Sequence, residues 1–223
     1  LLPKAETFVS YNLVQAALVR AFSAHGLVAP FSHFQAPCNV RIVESDTIPT
    51  AEKRAYSSSK IHTDVWNGEP QHSVLFNIPL LGDPEHVGMT FFEPSEFPAD
   101  LVCRLDDYDL GQPVVDGARA CDMPFALGDI YVSDSMSLHQ TVRRGPGARL
   151  SLDFRALSDD VLAGEIVELS ETNALYIPSE DWLRTGTREV LYSEEPVDSF
   201  QQHQRGIRVE PIPVSLLQIK TVE

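Results

Sequence analysis

Two histidines and one aspartate, set among short apolar runs, are the residues of this chain best suited to chemistry. Ile61-His62-Thr63-Asp64-Val65-Trp66 places an imidazole and a carboxylate two residues apart. In an extended strand, positions i and i+2 share a face, so His62 and Asp64 are expected to point the same way, with Trp66 just beyond them. A second imidazole, His139, opens an apolar stretch much later in the chain. Two imidazoles and a carboxylate on one side of a divalent transition metal leave the opposite positions open to small molecules. An HxD triplet alone is close to a chance occurrence here, and a lone strand histidine is more often bonded to a structural neighbour. The distal histidine makes the triplet worth pursuing. His72 and His86 flank turns and are expected in solvent; either replaces His139 only if the strand assignment is wrong.

The run Arg149–Leu157 adds a second kind of group. Leu150, Leu152, Phe154 and Ala156 alternate with Arg149, Ser151, Asp153 and Arg155, which gives one apolar and one polar face. In an ordinary sandwich the polar face is simply wet. Arg149, however, follows His139 across Gly145-Pro146-Gly147, so the two strands are expected to pair as a hairpin that brings the arginine near the histidine. A guanidinium is a fixed fork for a carboxylate. A dicarboxylic acid could then reach both the metal and Arg149, with Arg155 as the runner-up on the same face.

The elements that must position these groups are legible in outline. Residues 7–25 read as an amphipathic helix, with Val14, Ala17, Leu18, Ala21 and Phe22 on one face and Gly26 as its C-terminal cap. Short strands follow at Asn39–Val43, Lys60–Trp66, Ser73–Leu81, Gly88–Glu93, Asp129–Asp134, Thr141–Arg144 and Arg149–Leu157, separated by Gly/Pro turns. The fold class expected is mainly β: an antiparallel sandwich or jelly roll with supporting helices, α+β overall. One domain spans 1–223, comprising an N-terminal helical part (1–38), a jelly-roll core (39–157) and a C-terminal extension (158–223). That extension is acidic, and a lid, an extra edge strand or a homodimer contact all suit it.

Composition narrows the partners. The chain has 223 residues, 43% hydrophobic and 22% charged, the profile of a globular protein with an ample core. No apolar run is long enough to span a membrane, and Leu1–Ser10 lacks the basic-then-apolar pattern of a signal peptide. Cys38, Cys103 and Cys121 are widely spaced with no CxxC, which suits reduced thiols and a cytoplasmic location. A net charge of −15 repels phosphate backbones, so nucleic acid is not expected as a partner, and a neutral or cationic small molecule fits better.

Over residues 55 to 157 the chain resembles the Fe(II)/2-oxoglutarate-dependent oxygenases of the double-stranded β-helix, cupin-like superfamily. The resemblance is carried by His62-Thr63-Asp64, His139 and Arg149-Leu150-Ser151, with Gly128-Asp129 ahead of the distal histidine and Gly88–Pro94 mid-barrel. More loosely, Ile61–Pro70 and Arg149–Arg155 look like small oxygenases of antibiotic and surface-sugar gene clusters. The resemblance implies that His62, Asp64 and His139 bind Fe(II), while Arg149 with Ser151 holds the distal carboxylate of 2-oxoglutarate. The co-substrates would be 2-oxoglutarate and O2, and the products succinate, CO2 and an oxidised small molecule. The metal-ligating carboxylate points to hydroxylation, desaturation or ring closure rather than halogenation. Asn77, a polar residue inside an apolar run, could bond 2-oxoglutarate or a metal ligand, or make a structural hydrogen bond. Trp66, Tyr56, Ser59 and Arg155 are candidates for the substrate pocket. Two rivals stand beside this reading: a metal-dependent cupin-type enzyme that does not use 2-oxoglutarate, and a non-catalytic jelly-roll binding module.

Overall fold

The computed structural model describes residues 3–44, 57–158, 175–194 and 214–218. In chain order these form α1 (Phe8–Ala24), β1 (His33–Ala36), β2 (Asn39–Glu44), β3 (Val74–Gly82), β4 (Val87–Glu93), α2 (Gln112–Asp116), β5 (Arg119–Ala120), β6 (Tyr131–Asp134), β7 (Leu138–Arg143), β8 (Ala148–Leu157), β9 (Leu175–Pro178), α3 (Ser179–Arg184), β10 (Glu189–Tyr192) and β11 (Ser215–Gln218). Strand exceeds helix, 37% against 23%, and the strands build antiparallel sheets rather than a closed barrel. The chain divides into two compact units, one centred on Arg41–Asp153 and the other on the N-terminal 40 residues with most of the chain after Asp153.

The unit Arg41–Asp153 has two sheets. One runs β5-β4-β7; the other runs β6-β3-β8, with β2 also paired to β8. In the smaller sheet Val87, Met89 and Phe91 stand opposite Arg143, Thr141 and His139. Directly opposed residues share a face, so these six side chains lie on one side of it. The expected hairpin of β7 with β8 does not form. Gly145-Pro146-Gly147 instead carries the chain from one sheet to the other, because β8 starts against the end of β3. There Asp83 N donates to Ala148 O at 3.0 Å. A Cβ on Gly82 would lie 1.9 Å from that same carbonyl oxygen, so only glycine lets the backbones meet.

Lys60–Trp66, expected as a strand, is one residue of antiparallel bridging at His62 followed by a 3-10 turn at Val65–Asn67. Gly68, at φ 92°, closes that turn in the left-handed region. The turn swings Trp66 into a hydrophobic cluster with Leu105, Tyr108, Val114 and Leu138. Burial of this indole outweighs the strand propensity of its neighbours.

In the other unit, α1 buries Tyr11, Asn12, Gln15, Leu18, Val19 and Phe22. The buried stripe is thus rotated from the one expected, leaving Ala17 and Ala21 exposed. Polar residues are tolerated inside because they are bonded: Asn12 exchanges two 2.8 Å hydrogen bonds with the backbone of Leu191, and Gln15 Nε2 donates to Thr185 Oγ1 at 3.1 Å. Gly26 follows the helix at φ 69°, in its expected capping role. Part of the C-terminal extension is structural here. β9 pairs with β1, and Trp182 of α3 stacks on Phe34 at 4.3 Å between centroids.

Candidate metal centre

The two histidines meet through backbone pairing. His62 N donates to His139 O at 3.0 Å, and His139 N donates to His62 O at 2.8 Å. This is the hydrogen-bonded pair of an antiparallel ladder, whose side chains emerge on the same face. The ring centroids stand 4.5 Å apart. Asp64 reaches the pair from the start of the 3-10 turn, not by strand alternation, with Oδ1 3.9 Å from His139 Nε2. One ligand atom from each of His62, Asp64 and His139 falls within 4.8 Å of the others. All three residues are buried.

The rings are oriented as ligands need to be. His62 Nδ1 lies 2.8 Å from Lys60 O, and His139 Nδ1 lies 2.9 Å from Ser137 O. A carbonyl can only accept, so each Nδ1 carries a proton, and in the neutral ring it is Nε2 that keeps the lone pair a metal needs. Such outer partners fix the tautomer of metal-binding imidazoles. Burial, and then the neighbouring His139, push the His62 pKa down to about 3, so its ring is neutral in neutral solution. Neutral imidazole is the metal-binding form.

Aromatic packing holds these rings in place. Tyr108 stacks on His62 at 4.4 Å and 10° between planes, and Phe91 lies 5.9 Å from His139. The turn carrying Tyr108 is pinned by Lys60 Nζ, at 2.9 Å from Asp107 and 2.7 Å from Asp109. Neither aromatic stands out in the sequence, because stacking partners far apart in the chain leave no local pattern.

Arg149 lies in the same unit as these ligands. Its side chain crosses from β8 to the other sheet, where NH1 donates to Val87 O at 3.0 Å and the guanidinium lies 4.8 Å from the Phe125 ring centre. It is buried, its Nε has no hydrogen-bond partner, and among the described residues no carboxylate forms an ion pair with it. Burial chiefly, then repulsion from Arg41, lowers its pKa to about 10. Ser151 Oγ, on the same face of β8, and Asn77 Oδ1, on neighbouring β3, are also buried and unpartnered. The polar face of β8 is therefore dry, contrary to the ordinary sandwich expectation. Buried polar groups are almost always bonded, so an unpartnered guanidinium Nε and an unpartnered hydroxyl on one strand face fit an anionic ligand with acceptor oxygens.

The remaining candidates separate clearly. Trp66 is fully buried and donates to Leu101 O at 2.9 Å, which makes it a core residue and not a pocket wall. Ser59 accepts a hydrogen bond from Arg143. Arg155 belongs to the other unit and donates to Gln35 Oε1 at 3.2 Å. Tyr56 lies outside the described residues. His72 is exposed and His86 bonds Asp83 at 2.6 Å, as their turn positions suggest.

The chain matches no protein-family model and no curated protein. Among the described residues no helix is long and apolar enough to cross a membrane.

Proposed function

We propose that this protein is a non-haem Fe(II)- and 2-oxoglutarate-dependent dioxygenase that oxidises a small molecule, built on a jelly-roll core whose two halves are the sheets of the unit Arg41–Asp153. One observation carries the reading. A buried His-Asp-His group shares its unit with a buried arginine whose Nε is unbonded and which forms no ion pair among the described residues. The ligand set favours an enzyme with open metal positions over a binding module, and the arginine favours a co-substrate that carries a second carboxylate.

His62 Nε2, His139 Nε2 and a carboxylate oxygen of Asp64 would hold Fe(II), the donor set for that ion when open positions are needed. When bound, iron and 2-oxoglutarate together supply the oxidising power, with 2-oxoglutarate leaving as succinate and CO2 and oxygen entering a substrate C–H. Arg149 binds the distal carboxylate of the keto acid, and Ser151 donates to it. Val87 O takes NH1 and so orients the guanidinium for that contact. Tyr108 and Phe91 exclude water from the imidazoles and keep them from rotating. Lys60 O and Ser137 O hold the Nδ1 protons.

The test is anaerobic titration of 2-oxoglutarate into the Fe(II)-loaded protein, following the visible absorption that the pair develops, then succinate release on adding air. Absorption and succinate that both require Arg149 support the reading. Metal binding without any response to 2-oxoglutarate leaves a metal-dependent enzyme of another type. Absence of metal binding leaves a binding module.

A further inference from the structure

We propose that the substrate of this centre carries an anionic group, a phosphate or a carboxylate, held by Arg41 and Arg143. The proposal rests on the dioxygenase reading and names its substrate class.

Arg143 lies on the same face of β7 as His139 and Thr141, about 13 Å along the strand from His139 at the usual rise per residue. It stands opposite Val87, whose carbonyl receives Arg149, so the two arginines come to β4 at one rung. Arg41 comes from β2, which pairs with β8, and its NH1 lies 3.8 Å from Asp153 Oδ2. Asp153 lies on the Arg149 face of β8. The three guanidiniums are near enough to repel: after burial, Arg41 is the neighbour that holds both Arg143 and Arg149 below the usual arginine range.

The company Arg143 keeps is neutral. Its Nε donates to Glu44 O at 3.0 Å and its NH1 to the Ser59 hydroxyl, and among the described residues no carboxylate forms an ion pair with it. In a chain with 32 acidic and 17 basic residues, an arginine that served only solubility would be expected to find an acid. Instead Arg41 neighbours both of the others, and Asp153 is the single acid that forms an ion pair with any of the three among the described residues. Such clusters are costly unless an anion completes them. Arg149 is buried and serves the co-substrate. Arg41, 39% exposed along its side chain, and the exposed Arg143 remain for a second anion arriving from solvent. The guanidinium fork suits phosphate and carboxylate alike.

The test uses the whole metal-free chain, titrated calorimetrically with inorganic phosphate and, separately, with acetate, in wild type and in Arg41→Gln, Arg143→Gln, Arg143→Lys and Arg149→Gln. Binding of either anion that weakens about tenfold or more in both Arg41→Gln and Arg143→Gln supports the proposal. A smaller loss in Arg143→Lys, which keeps the charge, shows that binding and not folding was affected, and melting curves check each variant. Preference for phosphate assigns a phosphoryl group, and preference for acetate a carboxylate. Equal binding in wild type and Arg143→Gln, or none in any variant, overturns the proposal. Titration of 2-oxoglutarate with Mn(II) separates the two readings: it should fail in Arg149→Gln and survive in Arg143→Gln. Loss of 2-oxoglutarate binding in wild type, with phosphate or acetate binding intact, overturns the dioxygenase reading alone.

Discussion

His62 and His139 exchange both backbone hydrogen bonds across a single bridge, and this pairing places their imidazoles side by side. The placement of the two imidazoles is therefore set by main-chain pairing, which side-chain substitution leaves in place. Removing a ligand should thus empty the metal site without unfolding the protein.

Asp64→Ala and His139→Ala should each weaken Fe(II) binding by more than about 100-fold, since loss of mere outer partners already costs 10–100-fold. His72→Ala and His86→Ala should bind as wild type. Anaerobic Fe(II) titration decides; metal loss in His86→Ala with retention in His139→Ala would refute the assignment.

Replacing Arg149 should separate binding from stability. Arg149→Met removes a buried charge with an unbonded Nε. Relief of that buried charge opposes the cost of leaving Val87 O without its donor, itself about 1–3 kcal/mol, so stability should change little. Affinity for 2-oxoglutarate should nevertheless fall roughly 10- to 150-fold, the equivalent of a bidentate charge-assisted contact. Denaturant unfolding and 2-oxoglutarate titration on the same preparation test both. Clear destabilisation without loss of affinity would make Arg149 a structural residue.

Gly111→Ala probes the packing under Tyr108. A Cβ there would lie 2.1 Å from the Trp66 ring, and Trp66 is fully buried. Overpacking of this kind costs about 1–3 kcal/mol. The variant should unfold at lower denaturant and, through Tyr108 and His62, bind metal less tightly. Wild-type stability would show that the indole can move.

Stability of the metal-free protein should depend on pH through His62. Its pKa falls from an ordinary 6.5 to about 3 on folding, so between these values the unfolded chain binds a proton that the folded chain does not. Stability therefore rises with pH across that window and is lost as pH falls, by up to about 1.4 kcal/mol per pH unit. Urea unfolding of wild type and His62→Gln at pH 4.5, 5.5 and 7 (about 6.5 being the ordinary histidine value) measures the difference. Parallel slopes for the two proteins would show that His62 is not the group responsible.

The sequence by itself determined which groups are available and much of the strand pattern. Period-2 alternation at Arg149–Leu157 is a local property, and β8 occupies Ala148–Leu157. Gly26, likewise, is read from the end of one helix. Only the tertiary structure decided what those groups meet. His62 and Asp64 converge through a bridge to His139 and a 3-10 turn, because burying Trp66 overrides the local strand preference. Arg149 reaches the other sheet across a loop that looks, locally, like a hairpin turn. Whether its polar face would be wet or dry depends on a second sheet about 10 Å away, which no alternation within one strand can reveal. Tyr108 on His62, and Arg143 beside Ser59, belong to the same class. Their contacts join residues far apart in the chain, where spacing carries no information.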